Sequence, residues 1–149
     1  MGVPDQQMTP NVACTDCHMY NGGVDGSNSA QLGGHSWAVT VNEADGGTTT
    51  SCMHCHSDWD TTKSEATINQ LKTEFQALDA TAQSIVEKAT LAMTGVTTPD
   101  LQDKLKEAQF NLSYAESDES GGFHNNTYLM ALLNDSVQRA QEILTVLGK

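Results

Sequence analysis

All four cysteines of the 149-residue chain fall in two five-residue segments of the pattern Cys-x-x-Cys-His. The first segment reads Cys-Thr-Asp-Cys-His at positions 14–18, and the second reads Cys-Met-His-Cys-His at positions 52–56. This pattern is the attachment sequence of c-type haem. Two thiols about one turn apart can add to the two vinyl groups of one porphyrin, and the next histidine can give an imidazole nitrogen to iron. The chain is therefore predicted to carry two covalent haems, attached through Cys14, Cys17, Cys52 and Cys55, with His18 and His56 as proximal iron ligands.

Disulfide bonds and a zinc site are the alternative uses of four cysteines. Exported proteins often contain disulfides, but disulfide formation gives no reason for a histidine after each pair. Structural zinc usually needs the two Cys-x-x-Cys halves about 15–20 residues apart. Here 34 residues lie between Cys17 and Cys52. Haem attachment accounts for more of the pattern than either alternative does.

Charge and composition limit the partners. Seven basic and 19 acidic side chains give a net charge of -12, which argues against nucleic acid or an anionic membrane surface and favours basic partners or simply solubility. Aromatic residues make up only 5% of the chain, so two porphyrins would supply apolar area to a thin core. No apolar run reaches the length of a transmembrane helix. Because haem c is attached outside the cytoplasm, we expect a periplasmic or extracellular protein whose precursor carries a signal peptide that this chain lacks.

The chain changes character near residue 61. Residues 1–60 contain both motifs, two loop-like stretches at 21–29 and 43–47, and a short candidate extended segment at 37–41. Beyond them, three apolar stripes recur at helical spacing, separated by Gly95 with Pro99 and by the Gly121–Gly122 pair. The stripes consist of Ile68, Leu71, Phe75, Leu78, Ala82, Ile85, Ala89 and Ala92; then Leu101, Leu105, Ala108, Leu112 and Ala115; then Leu129, Leu133, Val137, Ala140, Leu144 and Leu147.

These patterns predict a mainly α fold in which an irregular dihaem-binding segment, residues 1–60, packs on an antiparallel three-helix bundle, residues 61–149, to form one domain. We expect Asp60 or Thr61 to cap the first helix, Thr98 and Pro99 to begin the second, and the third to begin near Asn125. The second helix is expected to continue to the Gly121–Gly122 pair.

Each iron also needs a distal ligand, and three histidines remain outside the proximal pair. His124 precedes the last predicted helix, and His35 follows two glycines that permit close approach to a ring. His54 lies inside the second motif and is expected to face solvent. Met8, shortly before the first motif, is a further candidate because thioether ligation is common in cytochromes.

With both motifs, the helices and the Gly-Phe-His-Asn sequence at 122–125 in place, the chain resembles the C-terminal haem region of ammonia-forming cytochrome c nitrite reductases and related multihaem cytochromes. The matching features are residues 13–19 around the first motif, His35, residues 51–56 around the second motif, two helices, and a late histidine. The resemblance implies that His124 is the distal ligand of the first haem. The family's upstream catalytic haem, with its proximal lysine, has no counterpart in the chain.

The distal ligand of the second haem stays open. In the family a histidine shortly before the first motif serves this haem, but Gln7 and Met8 occupy that neighbourhood here. His35 of the same chain is the first choice, followed by His35 of a neighbouring subunit and then Met8. The second option would link haems between subunits and could build a conductive filament.

We therefore expect a dihaem c-type cytochrome that transfers electrons between redox partners, which could include other multihaem cytochromes. Two irons that each carry two protein ligands leave no open position for substrate, so the expectation is an electron carrier and not an enzyme. The alternatives are a conductive filament or other homo-oligomer, and a haem redox enzyme or fragment of a nitrite-reductase-like multihaem enzyme.

Overall fold

The computed structural model describes residues 12–18 and 50–149, and these residues are mainly helical. Their elements are α1 (Cys14–His18), a 3-10 helix (Ser51–His54), α2 (Thr61–Ala92), α3 (Pro99–Glu116) and α4 (Asn126–Val146), and no strand occurs among them. The prediction of a mainly α fold with three long helices is confirmed. The predicted extended segment at 37–41 and the two predicted loops lie outside the described residues. None of the helices in 12–18 and 50–149 combines the length and apolarity that a membrane crossing needs.

The described residues fall into two compact units. One contains residues 12–18 and 50–70, and the other contains residues 71–149. The first unit holds both Cys-x-x-Cys-His motifs and the first turns of α2, whereas the second holds the rest of α2 with α3 and α4. The prediction that the haem-binding segment and the bundle form one domain, divided near residue 60, stays a prediction.

The helix ends follow the capping residues closely, with one exception. Asp60 caps α2, because its Oδ1 accepts a hydrogen bond of 2.7 Å from the backbone N–H of Lys63. Gly95 adopts a φ of +80° after α2, and Pro99 is the first residue of α3. The expectation that α3 continues to Gly121 is wrong, since it ends at Glu116. The Asp118 carboxylate accepts hydrogen bonds from the Ser120 hydroxyl and the Gly122 N–H. These local bonds compete with the continuation of the helix.

Polar contacts show that the long helices run antiparallel. Gln83 of α2 donates to Glu116 at the end of α3 at 2.9 Å, and Gln109 of α3 donates to Thr90 near the end of α2 at 3.1 Å. Between α3 and α4, the buried hydroxyl of Ser136 donates to the carbonyl of Ala108 at 2.5 Å. The buried bond fixes the register of α3 against α4, since a shift of one residue would leave the Ser136 hydroxyl unpaired. The two bonds between α2 and α3 are exposed to solvent.

The core of the second unit is wider than the predicted stripes. Most stripe residues are buried or partly buried against it, as expected. Four additional side chains are also buried, namely Val86, Met93, Leu132 and Ile143. A helix that contacts more than one neighbour buries a broad face. The predicted stripes included only the narrower row of residues that packs between two helices.

Candidate haem attachment site

The first motif forms one helical turn. In α1 the carboxylate of Asp16 accepts a 2.7 Å hydrogen bond from the backbone N–H of Ala13, and the backbone N–H of Asp16 returns a bond of 2.9 Å to the Ala13 carbonyl. This reciprocal pair closes the start of the turn. The turn carries Cys14 and Cys17 three positions apart, and His18 follows at its end. This is the spacing that attachment of one porphyrin requires.

The second motif forms a tighter turn. The 3-10 helix begins after Thr50, whose Oγ1 accepts a 3.1 Å hydrogen bond from the backbone N–H of Cys52. The carbonyl of Cys52 then accepts from the backbone N–H groups of Cys55, at 3.2 Å, and His56, at 2.8 Å. The turn therefore closes on itself from the first cysteine of the motif to the histidine.

A buried hydroxyl pair connects the second motif to α2. Thr50 Oγ1 lies 3.1 Å from Ser64 Oγ, and both residues are 1% exposed. Ser64 donates its own hydrogen to the Asp60 carbonyl at 2.8 Å, so Thr50 must be the donor in the pair. Each hydroxyl thus both donates and accepts, and the motif is attached to the first turn of the long helix.

The predicted proximal ligand of the second haem stacks on an aromatic ring. The rings of His56 and Trp59 have centroids 4.0 Å apart and an interplanar angle of 17°. On Trp59 lies the ammonium group of Lys63, 5.1 Å from the ring centroid, and Lys63 pairs with Asp58 at 3.3 Å. The stack restricts rotation of an imidazole that is otherwise exposed.

The two motifs are neighbours within their unit, because α1 packs against the 3-10 helix. All four cysteines are free thiols, two of them exposed and two partly buried. Burial raises the pKa of the Cys17 thiol, and the nearby sulfurs of Cys52 and Cys55 raise it further. The influence of one motif's sulfurs on the other follows from the packing of α1 against the 3-10 helix.

The residues present fit covalent haem. Each motif offers two free thiols on one turn and a histidine directly after them, which supply the thioethers and the proximal nitrogen. Within residues 12–18 and 50–149, no three cysteine, histidine or acidic side chains come together in a way that could hold a metal ion. Haem does not require such a cluster, since the porphyrin itself supplies four nitrogen ligands.

The candidate distal ligands differ in how they are placed. His124 lies in the loop between α3 and α4, with its side chain 50% exposed and its Nδ1 3.4 Å from Asp118 Oδ1. His35, Met8 and the side chain of His54 lie outside the described residues. The assignments of His124 to the first haem and of His35 or Met8 to the second stay predictions.

Four residues around the site were not predicted from the sequence: Thr50, Ser64, Trp59 and Asp118. Threonine directly before the second motif is a recognisable N-cap, so Thr50 carried a usable signal. Trp59 carried a signal as well, because it follows His56 by about one turn and can reach its ring. Ser64 and Asp118 gave no comparable signal, because their roles depend on contacts that form only in the folded chain.

The comparisons with known proteins identify the family. The family model for cytochrome c552 matches residues 6–149, nearly the whole chain. No curated protein and no solved structure matches it. The matched family is that of cytochrome c nitrite reductase, which agrees with the resemblance seen in the sequence and implies covalently bound haem c.

The family also corrects one expectation. Cytochrome c nitrite reductase is an enzyme, so the prediction of an electron carrier that is not an enzyme is wrong. That prediction rested on two irons with no open position. Closed coordination at two haems gives no argument against an enzyme, because haems that only deliver electrons are part of a multihaem enzyme as well. The chain belongs to the cytochrome c552 family, the c-type haem proteins that include cytochrome c nitrite reductase.

Proposed function

We propose that the chain is a dihaem electron-transfer unit of a nitrite-reductase-like cytochrome. One haem would be attached to Cys14 and Cys17 and the other to Cys52 and Cys55. The observation that carries the proposal is the packing of α1 against the 3-10 helix, which brings the two attachment turns together. Bound haem supplies reversible one-electron chemistry at iron, and neighbouring attachment points favour fast exchange of electrons within the chain.

The protein's own residues have distinct parts in this function. His18 and His56 are the proposed proximal ligands, and His124 is the proposed distal ligand of the first haem. His35 is the proposed distal ligand of the second haem. Ligation by two histidines favours low reduction potentials, which suits delivery of electrons to a reductive reaction.

The proposed setting is the periplasm or the cell exterior, where haem c is attached. The net charge of -12 supports a basic protein as the electron donor, since opposite charges accelerate encounter and fix its orientation. Such an interaction would weaken as ionic strength rises, because salt screens charges that are exposed to solvent.

The test follows a single electron through the holoprotein. Rapid reduction with less than one electron per chain should give two phases. In the first, fast phase the added electron donor reduces a haem. The second phase is a spectral change whose rate does not depend on protein concentration. That second phase reports exchange between two haems in one chain. The double variants C14A/C17A and C52A/C55A, each with one motif left, are the matched controls and should lack it. A second phase that slows in proportion to dilution would contradict the proposal, since it would show exchange between molecules.

A further inference from the structure

One carboxylate organises the loop that joins α3 to α4. Asp118 Oδ2 accepts a 3.1 Å hydrogen bond from the backbone N–H of Gly122 and another from the hydroxyl of Ser120. Its second oxygen, Oδ1, lies 3.4 Å from Nδ1 of His124. The Asp118 side chain is only 16% exposed, so these three groups, more than water, stabilise its negative charge.

The backbone around His124 is fixed from the same side. The N–H of His124 donates to Ser120 Oγ at 2.7 Å, and the Asn126 side chain donates to the carbonyl of Gly122 at 2.8 Å. Asn125, between His124 and α4, adopts a left-handed φ of 44°. The main chain and the ring of His124 therefore both have defined partners inside the loop.

The carboxylate of Asp118 favours one position for the hydrogen on the ring. An ionised carboxylate only accepts hydrogen bonds, so a neutral imidazole whose Nδ1 faces it is more stable with its hydrogen on Nδ1. The lone pair is then on Nε2, at the opposite edge of the ring. Histidines that bind metals usually donate their other N–H to a carboxylate or carbonyl, which fixes the tautomer and raises the basicity of the ligand.

We infer that Asp118 is a positioning residue for His124, holding the tautomer that presents Nε2 to haem iron and lowering the reduction potential of that haem. The inference rests on the proposed function, because it requires His124 to be a distal ligand. A more basic imidazole stabilises ferric iron over ferrous iron, so loss of the carboxylate charge should raise the potential.

The test compares two variants of the holoprotein that each remove one negative charge. In D118N the amide oxygen can still accept from Ser120 and Gly122, so the loop should keep its conformation. One of the two midpoint potentials should rise, corresponding to a change of about tenfold in the ferric–ferrous equilibrium, or about 59 mV. E119Q removes the adjacent, exposed carboxylate and should shift the potential much less. Equal shifts in D118N and E119Q would overturn the inference, since they would show an unspecific effect of charge.

A measurement on the unaltered protein covers the case in which D118N does not fold. Proton NMR of the oxidised holoprotein should show an Nδ1 proton of a haem-bound His124 that exchanges slowly with solvent. A rapidly exchanging Nδ1 proton would contradict the inference.

The variant H124A separates this inference from the proposed function. One haem should become high-spin while remaining attached. A fully low-spin H124A protein would refute the ligand assignment itself. A high-spin H124A protein together with an unshifted D118N potential would refute only the role of Asp118.

Discussion

Thr50 and Ser64 form a hydroxyl pair, 3.1 Å apart and 1% exposed, between the second haem motif and α2. Thr50 also caps the turn that contains Cys52, and Ser64 also donates to the carbonyl of Asp60. The second attachment turn is therefore held by a buried polar contact as well as by its own backbone bonds. Such a buried hydrogen bond adds modestly to the free energy of unfolding. Removing one partner lowers that free energy by considerably more, because the other polar group stays buried without a partner.

Replacement of Ser64 by alanine should reduce the free energy of unfolding by about 1–3 kcal/mol, because the Thr50 hydroxyl would lose its acceptor in a buried position. Thr67 provides the control. Its hydroxyl also donates to the carbonyl four residues earlier in α2, at 2.9 Å, but in an exposed position. We expect T67A to cost less than about 0.5 kcal/mol. Chemical denaturation of both variants measures the difference, and equal costs would contradict a special role for the buried pair.

Replacement of Gly122 by alanine should destabilise the loop that carries His124. Gly122 has a φ of +86°, and an added Cβ would lie 2.2 Å from Cγ of Phe75. Backbone strain and the clash together should cost about 2–4 kcal/mol. Gly121 is the matched control, because its φ is +67° but its nearest contact would be Lys72 Cγ at 3.8 Å. In thermal unfolding, the melting temperature of G122A should be well below that of G121A. A reversed order would show that the close approach to Phe75 is unimportant.

Replacement of Asp79 by asparagine should stabilise the protein increasingly as pH rises through the acid range. Burial raises the pKa of the Asp79 carboxyl, and the charge of Glu116 raises it further; the buried Oδ1 has no hydrogen-bond partner. The folded state thus favours the protonated form. The stability that protonation contributes is present at low pH and is lost as pH rises above the ordinary Asp value through the folded-state pKa.

The measurement is thermal unfolding of wild type and D79N at several values between about pH 4 and pH 7. Gln83 donates to Asp79 Oδ2 at 3.0 Å, and the amide oxygen that D79N introduces can still accept this bond. The amide NH2 group then replaces the buried Oδ1, but its cost does not depend on pH, so the change of the difference with pH reports the charge. E116Q should show a smaller gain of the same sign, since Glu116 is the lesser cause of the shift. An advantage of D79N that grows toward acid pH would contradict this explanation.

The parts of the site that could be predicted are those encoded locally. Each haem motif is five consecutive residues, and the spacing of its cysteines is set by the chemistry of one porphyrin. The contact between Thr50 and Ser64 joins residues 14 positions apart, and nothing in their spacing indicates it. The position of Asp118 in the sequence gives no sign of its role, because the Gly122 N–H, the Ser120 hydroxyl and the His124 ring meet its carboxylate only in the folded loop.

The helices show the same distinction between local pattern and tertiary contact. Apolar periodicity located all three long helices, and Asp60 and Pro99 marked two of their starts. The same periodicity missed Leu132 and Ile143, because α4 buries a face wider than one stripe. The apolar periodicity also predicted that α3 continues to Gly121, because an apolar pattern does not show the local hydrogen bonds that Asp118 accepts.

The central claim is that each chain carries two covalent haems, one on each Cys-x-x-Cys-His turn. A pyridine haemochrome count combined with the intact mass of the denatured protein tests it directly, on wild type and on the double variants C14A/C17A and C52A/C55A. We predict two haems per chain in the wild type and one in each variant. A single haem in the wild type, or a count that does not fall in one of the variants, would contradict the claim.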